Sequence, residues 1–479
     1  MTYLNLNYLF IIPVIGIIFI IFNKETKAHY FALITSIIAF LYSIILYTVF
    51  DPTLQFQFTE TLSIADKNIL FGVDGISINF LLLTAFITPI CVLVSKESIK
   101  IMKKEYYIFL ISIELILFGV FTILDLLGFY ILYEAVLIPM FLIIGIWGAR
   151  KEKISAAYYF FFYTLVGSIL MLIGIIYLYT EYGTTDYFIL LTKNIEYNTQ
   201  LLLFLAFFAS FAIKIPKFPF HIWLPLAHVE APLAGSILLA AVLIKLGSYG
   251  IMRFSLPLFP EASLYFAPLV NTMAILAIIY ASLTTLRQTD LKRIIAYSSV
   301  SHMGVVMLGI FSFTTTGIEG SIFLQIAHGI VSSALFIIVT ILYDRHHTRI
   351  VKYYRGVVST MPIYSIYFFI FTLANIGVPL SCNFVGEFLS LYGIFSTNFI
   401  IGLLGSTGMV LSACYALFLY NRVVFGASSP YIAKSIENRD ISRREWYVLL
   451  PLGLLTLILG VYPDIILSKI HLSVAGLLI

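Results

Sequence analysis

Apolar residues run along this chain in blocks of about 20, each closed by a short polar stretch. The blocks fall near 4–22, 28–49, 76–95, 105–123, 126–147, 156–180, 200–219, 231–252, 262–286, 294–312, 318–342, 361–390, 396–420 and 446–468. A helix of that length crosses the hydrocarbon core of a bilayer, so the pattern predicts about fourteen transmembrane helices. Leu4 to Phe22 is itself long enough to span, and neither a cleavable signal nor an arginine-rich transit peptide is expected ahead of it.

The polar intervals alternate in charge. Lys24 and Lys27 follow the first block, Lys96, Lys100, Lys103 and Lys104 the third, and Arg150, Lys151 and Lys153 the fifth. Arg287, Lys292 and Arg293 follow the ninth, and Arg345, Arg349, Lys352 and Arg355 the eleventh. Arg422, Lys434, Arg439, Arg443 and Arg444 follow the thirteenth. The even-numbered intervals hold few cations (Lys67, Lys193, Arg253, with Lys469 near the C-terminus). They are acidic instead, with Asp51, Glu60, Asp66, Asp74, Asp125, Glu181, Asp186, Glu196, Glu261 and Glu319. Cationic loops stay on the inner side of a membrane. Both termini are therefore expected outside, and a single missed span would break the alternation.

Composition fixes the class. The chain has 479 residues, 61% hydrophobic and 11% charged, where a soluble domain carries about a quarter charged residues. The fold class is an all-α polytopic membrane protein. The net charge of +4 is spread by topology and does not indicate nucleic-acid binding. Cys91, Cys382 and Cys414 show no paired spacing, so no disulfide framework and no metal or cluster site is expected.

A few charges remain inside the apolar blocks. These are Lys214, Lys217 and Lys245, the acids Glu114, Glu134, Glu230 and Glu387, and His221, His228, His302 and His328. Each charged group at mid-membrane costs about 2.5–3.5 kcal/mol on insertion scales. Such groups must pair, neutralise or reach water, and all three outcomes give groups that exchange protons.

Two blocks are also broken. FAIKIPKFPF places Pro216 and Pro219 behind Lys214, and LANIGVPLSCNFVGEF places Gly377 and Pro379 before Glu387. These breaks sit five blocks apart, in the seventh and twelfth. Spans four to eight and nine to thirteen are thus expected to be two inverted five-helix repeats, each with a broken helix. The expected divisions are 1–104 (spans one to three), 105–252 and 262–420 (the repeats), and 421–479 (an inner loop and span fourteen). Broken helices expose backbone groups that need water, so they point to an ion pathway.

Not every charge fits that pathway. Glu114 suits equally a hydrogen bond to a neighbouring helix and a functional acid. Lys217, His221, His228 and Glu230 flank a proline-rich turn and read as loop-stabilising or snorkelling groups. His302 suits a satisfied buried histidine as well as a relay, whereas His328 lies near mid-span among small residues and is the better relay candidate. Glu134, Lys214, Lys245 and Glu387 sit deep in apolar runs, where a purely structural role is the weaker reading.

The string FAIKIPKFPFHIWLPLAHVEAPLAGSILLAAVLIKLGSYG, with AYSSVSHMG, NFVGEF and FYILYEAVLIPMFLIIGIWG, resembles the antiporter-like subunits of proton-pumping NADH:quinone oxidoreductase, respiratory complex I. The resemblance runs from about Phe71 to Phe425, with the motifs in the family's order and spacing. Mrp-type sodium/proton antiporter subunits share the fold and form the alternative. Most relatives carry lysine on the broken twelfth helix; one antiporter-like subunit carries glutamate, as here with Glu387. The absence of a long lateral helix after the last span separates the chain from chain 5 of the complex. With 42 Phe and 32 Tyr the composition fits an AT-rich organelle gene.

The resemblance implies a translocase subunit without redox chemistry of its own. Protons would pass along Glu134, Lys214, Lys245, His302, His328 and Glu387, with Lys214 partnered by Glu134 and Glu387 terminating the relay on the outward half-channel. NADH, FMN, iron–sulfur clusters and ubiquinone would belong to other subunits. The implied partners are the other membrane-arm subunits, including two related antiporter-like subunits, the lateral helix of chain 5, and lipids. The implied location is the mitochondrial inner membrane with both termini in the intermembrane space, or alternatively a bacterial plasma membrane.

Overall fold

A computed structural model describes residues 5–53, 55–64, 67–433 and 440–478. Asp66, Lys434 and Arg439, counted above among the loop charges, lie outside the described residues. Helices occupy every predicted block. In chain order they are α1 (Asn7–Phe22), α2 (Glu25–Val49), α3 (Gly75–Ser98), α4 (Lys103–Thr122), α5 (Leu126–Trp147) and α6 (Lys153–Tyr182). The chain continues with α7 (Tyr197–Lys214), α8 (Trp223–Glu230), α9 (Leu233–Leu258), α10 (Pro260–Arg287), α11 (Leu291–Ile310) and α12 (Thr315–His346). It ends with α13 (Pro362–Ile376), α14 (Cys382–Thr397), α15 (Phe399–Val424), α16 (Arg443–Val461) and α17 (Asp464–Ala475). Twelve described helices are long and apolar enough to cross a membrane. The shorter apolar α1 makes a further crossing, and α13 with α14 makes the last as two pieces.

Several acids that read as loop charges are helix caps. Asp74 accepts the Ser77 N–H at 2.9 Å, Asp125 that of Gly128 at 2.7 Å, and Asp186 that of Phe188 at 2.9 Å. Each satisfies an N–H that the first turn of a helix leaves without an internal partner.

Two elements depart from the expected pattern. An antiparallel hairpin, β1 (Gln57–Ile64) and β2 (Lys67–Val73), stands on the acidic-loop face between α2 and α3. It is anchored where the Leu124 N–H donates to Leu70 O at 2.9 Å. The final span, expected to reach residue 468, ends at Val461 because Pro463 cannot continue it. The chain then turns into α17, which lies over the ends of α2 and α3. Tyr47 donates to Ile465 O at 2.6 Å, and the Gly75 N–H donates to Ser473 Oγ at 2.9 Å.

Two long helices form the axis. The apolar windows of α9 and α12 are entirely buried by protein, and α11 is nearly so. Polar groups within the α9 and α12 windows therefore face protein.

Candidate functional site

Lys245 lies on α9 between two stretches of π-helix, Leu239–Leu243 and Ile251–Ser255. A π turn widens the helix and is a frequent mark of a functional position. Lys245 is fully buried, and its Nζ donates to Ala240 O inside the first π stretch. The same Nζ stands 3.0 Å from His328 Nδ1 on α12. An ammonium there donates to Nδ1, which places the histidine proton on Nε2. Nε2 faces Ser299 Oγ at 3.1 Å, while the Ser299 hydroxyl donates to Ile295 O at 3.2 Å. The His328 and Ser299 protons thus have acceptors, as do two of the three ammonium protons of Lys245.

The His328 ring centroid is 5.5 Å from that of His302 on α11. His302 Nδ1 meets Glu387 Oε1 at 2.9 Å, and its Nε2 faces Asn375 Oδ1 at 3.2 Å. With Nε2–H donating to Asn375, Nδ1 either accepts from a protonated Glu387 or donates to its carboxylate. One proton is thus shared between them, and neither assignment requires a movement of heavy atoms. Glu387 Oε2 is buried without a hydrogen-bond partner.

The break between α13 and α14 makes that contact possible. Gly377 ends α13 at φ +79°, a left-handed conformation that glycine adopts freely. A Cβ built there would stand 2.6 Å from Glu387 Oε2, so the glycine also leaves room for the carboxylate. Asn375, on α13 within LANIGVPLSCNFVGEF, is uncharged and so carries no mark in the sequence.

Lys214 ends α7, and its Nζ is buried with no hydrogen-bond partner. It sits over the Tyr133 ring, 4.2 Å from the centroid, and Tyr133 donates to Ser210 O at 3.4 Å. Glu134, the next residue on α5, has a buried Oε1 that is likewise unpartnered, and no ion pair joins it to Lys214 among the described residues. The expected pair is therefore open in this structure, with the aromatic face holding the ammonium. Pro139 interrupts α5 at Val136, because it lacks an N–H and its ring crowds the Ala135 carbonyl. That irregularity lies two residues from Glu134.

Lys217 and the histidines near it make local contacts. Lys217 Nζ donates to Met303 O at 2.8 Å, tying the loop after α7 to α11. His221 stacks on Phe218, and His228 stacks on Phe336 at 4.9 Å with both ring nitrogens unpartnered.

Two further buried charge clusters lie nearer the membrane faces. Arg253, which read as a loop cation, falls inside α9 and pairs with Asp74 at 2.5 Å near the acidic-loop face. Its guanidinium also lies 4.9 Å from the Phe56 ring centroid. On the basic-loop face Arg349 is 1% exposed although it belongs to a loop. It lies 3.9 Å from both Glu230 and Asp290, and it donates to Val229 O. Burial pushes the Arg349 guanidinium below its ordinary value, and Asp290 pulls it back. Lys292 joins this cluster by donating to Ala231 O at 3.1 Å. Loop assignment hid both clusters, since a charge beside a span reads as solvated.

Residues 124–412 match the family model of the NADH:quinone oxidoreductase/Mrp antiporter membrane region, which spans both readings left open by the motifs. Residues 8–122 match the amino terminus of NADH-ubiquinone oxidoreductase chain 4. The chain belongs to the chain 4 family of NADH-ubiquinone oxidoreductase. A curated chain 4 from Marchantia polymorpha is 52% identical over 99% of this chain and 97% of its own length. That from Metridium senile is 52% identical over 97% of this chain and 96% of its own. Among solved structures, a chain of respiratory complex I from Thermus thermophilus with bound NADH superposes with a TM-score of 0.88 at 28% identity, covering 99% of both chains. In this chain Glu134, Lys214, Lys245, His302, His328 and Glu387 all occupy buried or half-buried positions. Four of them, Lys245, His328, His302 and Glu387, form a single file of side chains from α9 to α14.

Proposed function

We propose that this chain translocates protons as a membrane-arm subunit of a proton-pumping NADH-ubiquinone oxidoreductase, with Glu134, Lys214, Lys245, His328, His302 and Glu387 as its relay. The observation that carries the reading is the unbroken approach of Lys245 to His328, His328 to His302, and His302 to Glu387. The match of residues 8–122 to the chain 4 amino terminus favours this reading over a sodium/proton antiporter subunit.

The proton is held first at Lys214. With the Glu134 carboxylate close, the ammonium is stabilised; with Glu134 withdrawn or neutralised, desolvation favours the free amine and the proton leaves. Lys245 accepts charge at the membrane centre and passes it by its Nζ to His328 Nδ1. His328 releases a proton from its other nitrogen side while His302 and Glu387 share one. Glu387 Oε2, free of partners, is the exit toward the acidic-loop face.

The breaks in α7–α8 and α13–α14 are crossed in opposite senses, which supports two inverted units over 105–252 and 262–420. Energy comes from quinone reduction in neighbouring subunits, which carry FMN, the iron–sulfur clusters and the ubiquinone site. The charge alternation of the loops supports a mitochondrial inner-membrane orientation with both termini in the intermembrane space. The adjoining partners are the two related antiporter-like subunits and the lateral helix of chain 5.

The test is proton translocation per NADH oxidised in the intact complex carrying Lys245→Ala or Glu134→Gln. Both variants lower translocation and coupled quinone reduction while the complex stays assembled. Undiminished pumping in either would remove that residue from the path.

A further inference from the structure

Glu114 lies in the middle of α4, outside the six-residue relay. It is 1% exposed, and both carboxyl oxygens are buried without a hydrogen-bond partner. No lysine, arginine or histidine pairs with it among the described residues. Leucine would fill such a site without the desolvation that a carboxyl group suffers, so its presence there needs a physical reason.

Thr88 and Cys91 on α3 stand beside it, within a row of polar side chains, Thr84, Thr88, Cys91 and Ser95, on one helical face. Each also has a backbone carbonyl within hydrogen-bond reach. Thr88 donates to Thr84 O at 2.9 Å, Cys91 Sγ to Ala234 O at 3.8 Å, and Ser95 to Cys91 O at 2.6 Å. The Thr88 hydroxyl is the donor that a carboxylate at Glu114 could reach, and it would have to leave Thr84 O to do so, whereas a carboxylic acid can donate its own proton to the Thr88 oxygen. The row continues to the basic-loop face. Tyr106 Oη stands 3.0 Å from Ser95 Oγ, where either hydroxyl can donate. The exposed Ser98 donates to Ser95 O at 3.3 Å.

We infer that Glu114 is a proton-holding site of the first three spans and α4, kept as the acid and exchanging its proton with the basic-loop face through Ser95 and Tyr106. The site is separate from the relay on α9, α11, α12 and α14, and it binds no ligand larger than a proton or water. Cys91 is a titratable group that faces it; Tyr106 lies further along the row beside Ser95, and His29, on α2, faces Tyr107.

The experiment is infrared spectroscopy of the intact complex in the protonated-carboxyl stretching region, before and after transfer to heavy water. One band present in the wild type disappears in Glu114→Gln, and its deuterium shift slows about tenfold in Ser95→Ala. If no band depends on Glu114, the group is ionised and the inference fails. An unchanged exchange rate in Ser95→Ala overturns the route. Should Glu114→Gln not assemble, Glu114→Asp keeps a carboxyl and must shift the same band; an unshifted spectrum also overturns the assignment.

Discussion

His302 Nδ1 and Glu387 Oε1 lie 2.9 Å apart, joining helices whose residues are 85 positions apart in sequence. Replacing His302 by Ala leaves the carboxyl without its proton partner and opens a gap before His328. Proton translocation should fall by about a hundredfold, the lower end of what a positioned acid–base group contributes. Proton uptake measured against NADH oxidation in reconstituted complex checks this. Glu387→Lys should be milder, because a cation at that position can still exchange protons.

Asn375 holds the far side of the same ring. Asn375→Leu strands the His302 Nε2–H, and a buried donor without an acceptor costs about 1–3 kcal/mol. The pH profile of pumping should shift in this variant while NADH oxidation by the peripheral subunits does not. An unaltered profile would show that the 3.2 Å contact to Asn375 does not set the histidine's protonation.

Gly377→Ala places a methyl group against Glu387 Oε2 and forces a left-handed residue to carry a side chain. The conformation alone costs about 1–2 kcal/mol. Lower thermal stability of the complex and weaker pumping should appear together, since the same methyl displaces the carboxylate.

Tyr133 offers Lys214 an aromatic face in place of an ion pair. A desolvated cation–π contact is worth up to about 2 kcal/mol. Tyr133→Phe should keep near-normal pumping, and Tyr133→Leu should not. Equal rates in the two variants would assign the ring to packing.

Arg253→Met removes one half of a buried pair whose members are 3% and 6% exposed. Breaking such a pair costs about 3–5 kcal/mol because the other charge stays buried. The double variant Arg253→Met with Asp74→Asn should recover much of the loss, as Asn still caps α3. Thermal denaturation of the isolated complex reads both effects.

The long apolar blocks needed no tertiary information to be placed. Lipid cannot hydrogen-bond a peptide group, so each crossing must be helical and about 20 residues long, a constraint written along the chain itself. The same solvent marked the candidate site, since Lys214, Lys245 and Glu387 are costly in an apolar run and Pro216 and Gly377 break helices that lipid would keep whole. The family motifs around those residues were legible for the same reason.

Tertiary structure alone decided which of these groups touch. Lys245 meets His328 across 83 residues, and no local pattern encodes the distance. Only packing could show that Lys214 rests on Tyr133, that Arg253 and Arg349 are enclosed although they adjoin loops, or that Thr88 and Cys91 stand beside Glu114. A bilayer specifies where a helix must be, but the contacts between helices depend on side-chain shape and hydrogen-bond satisfaction, which are properties of the assembled bundle.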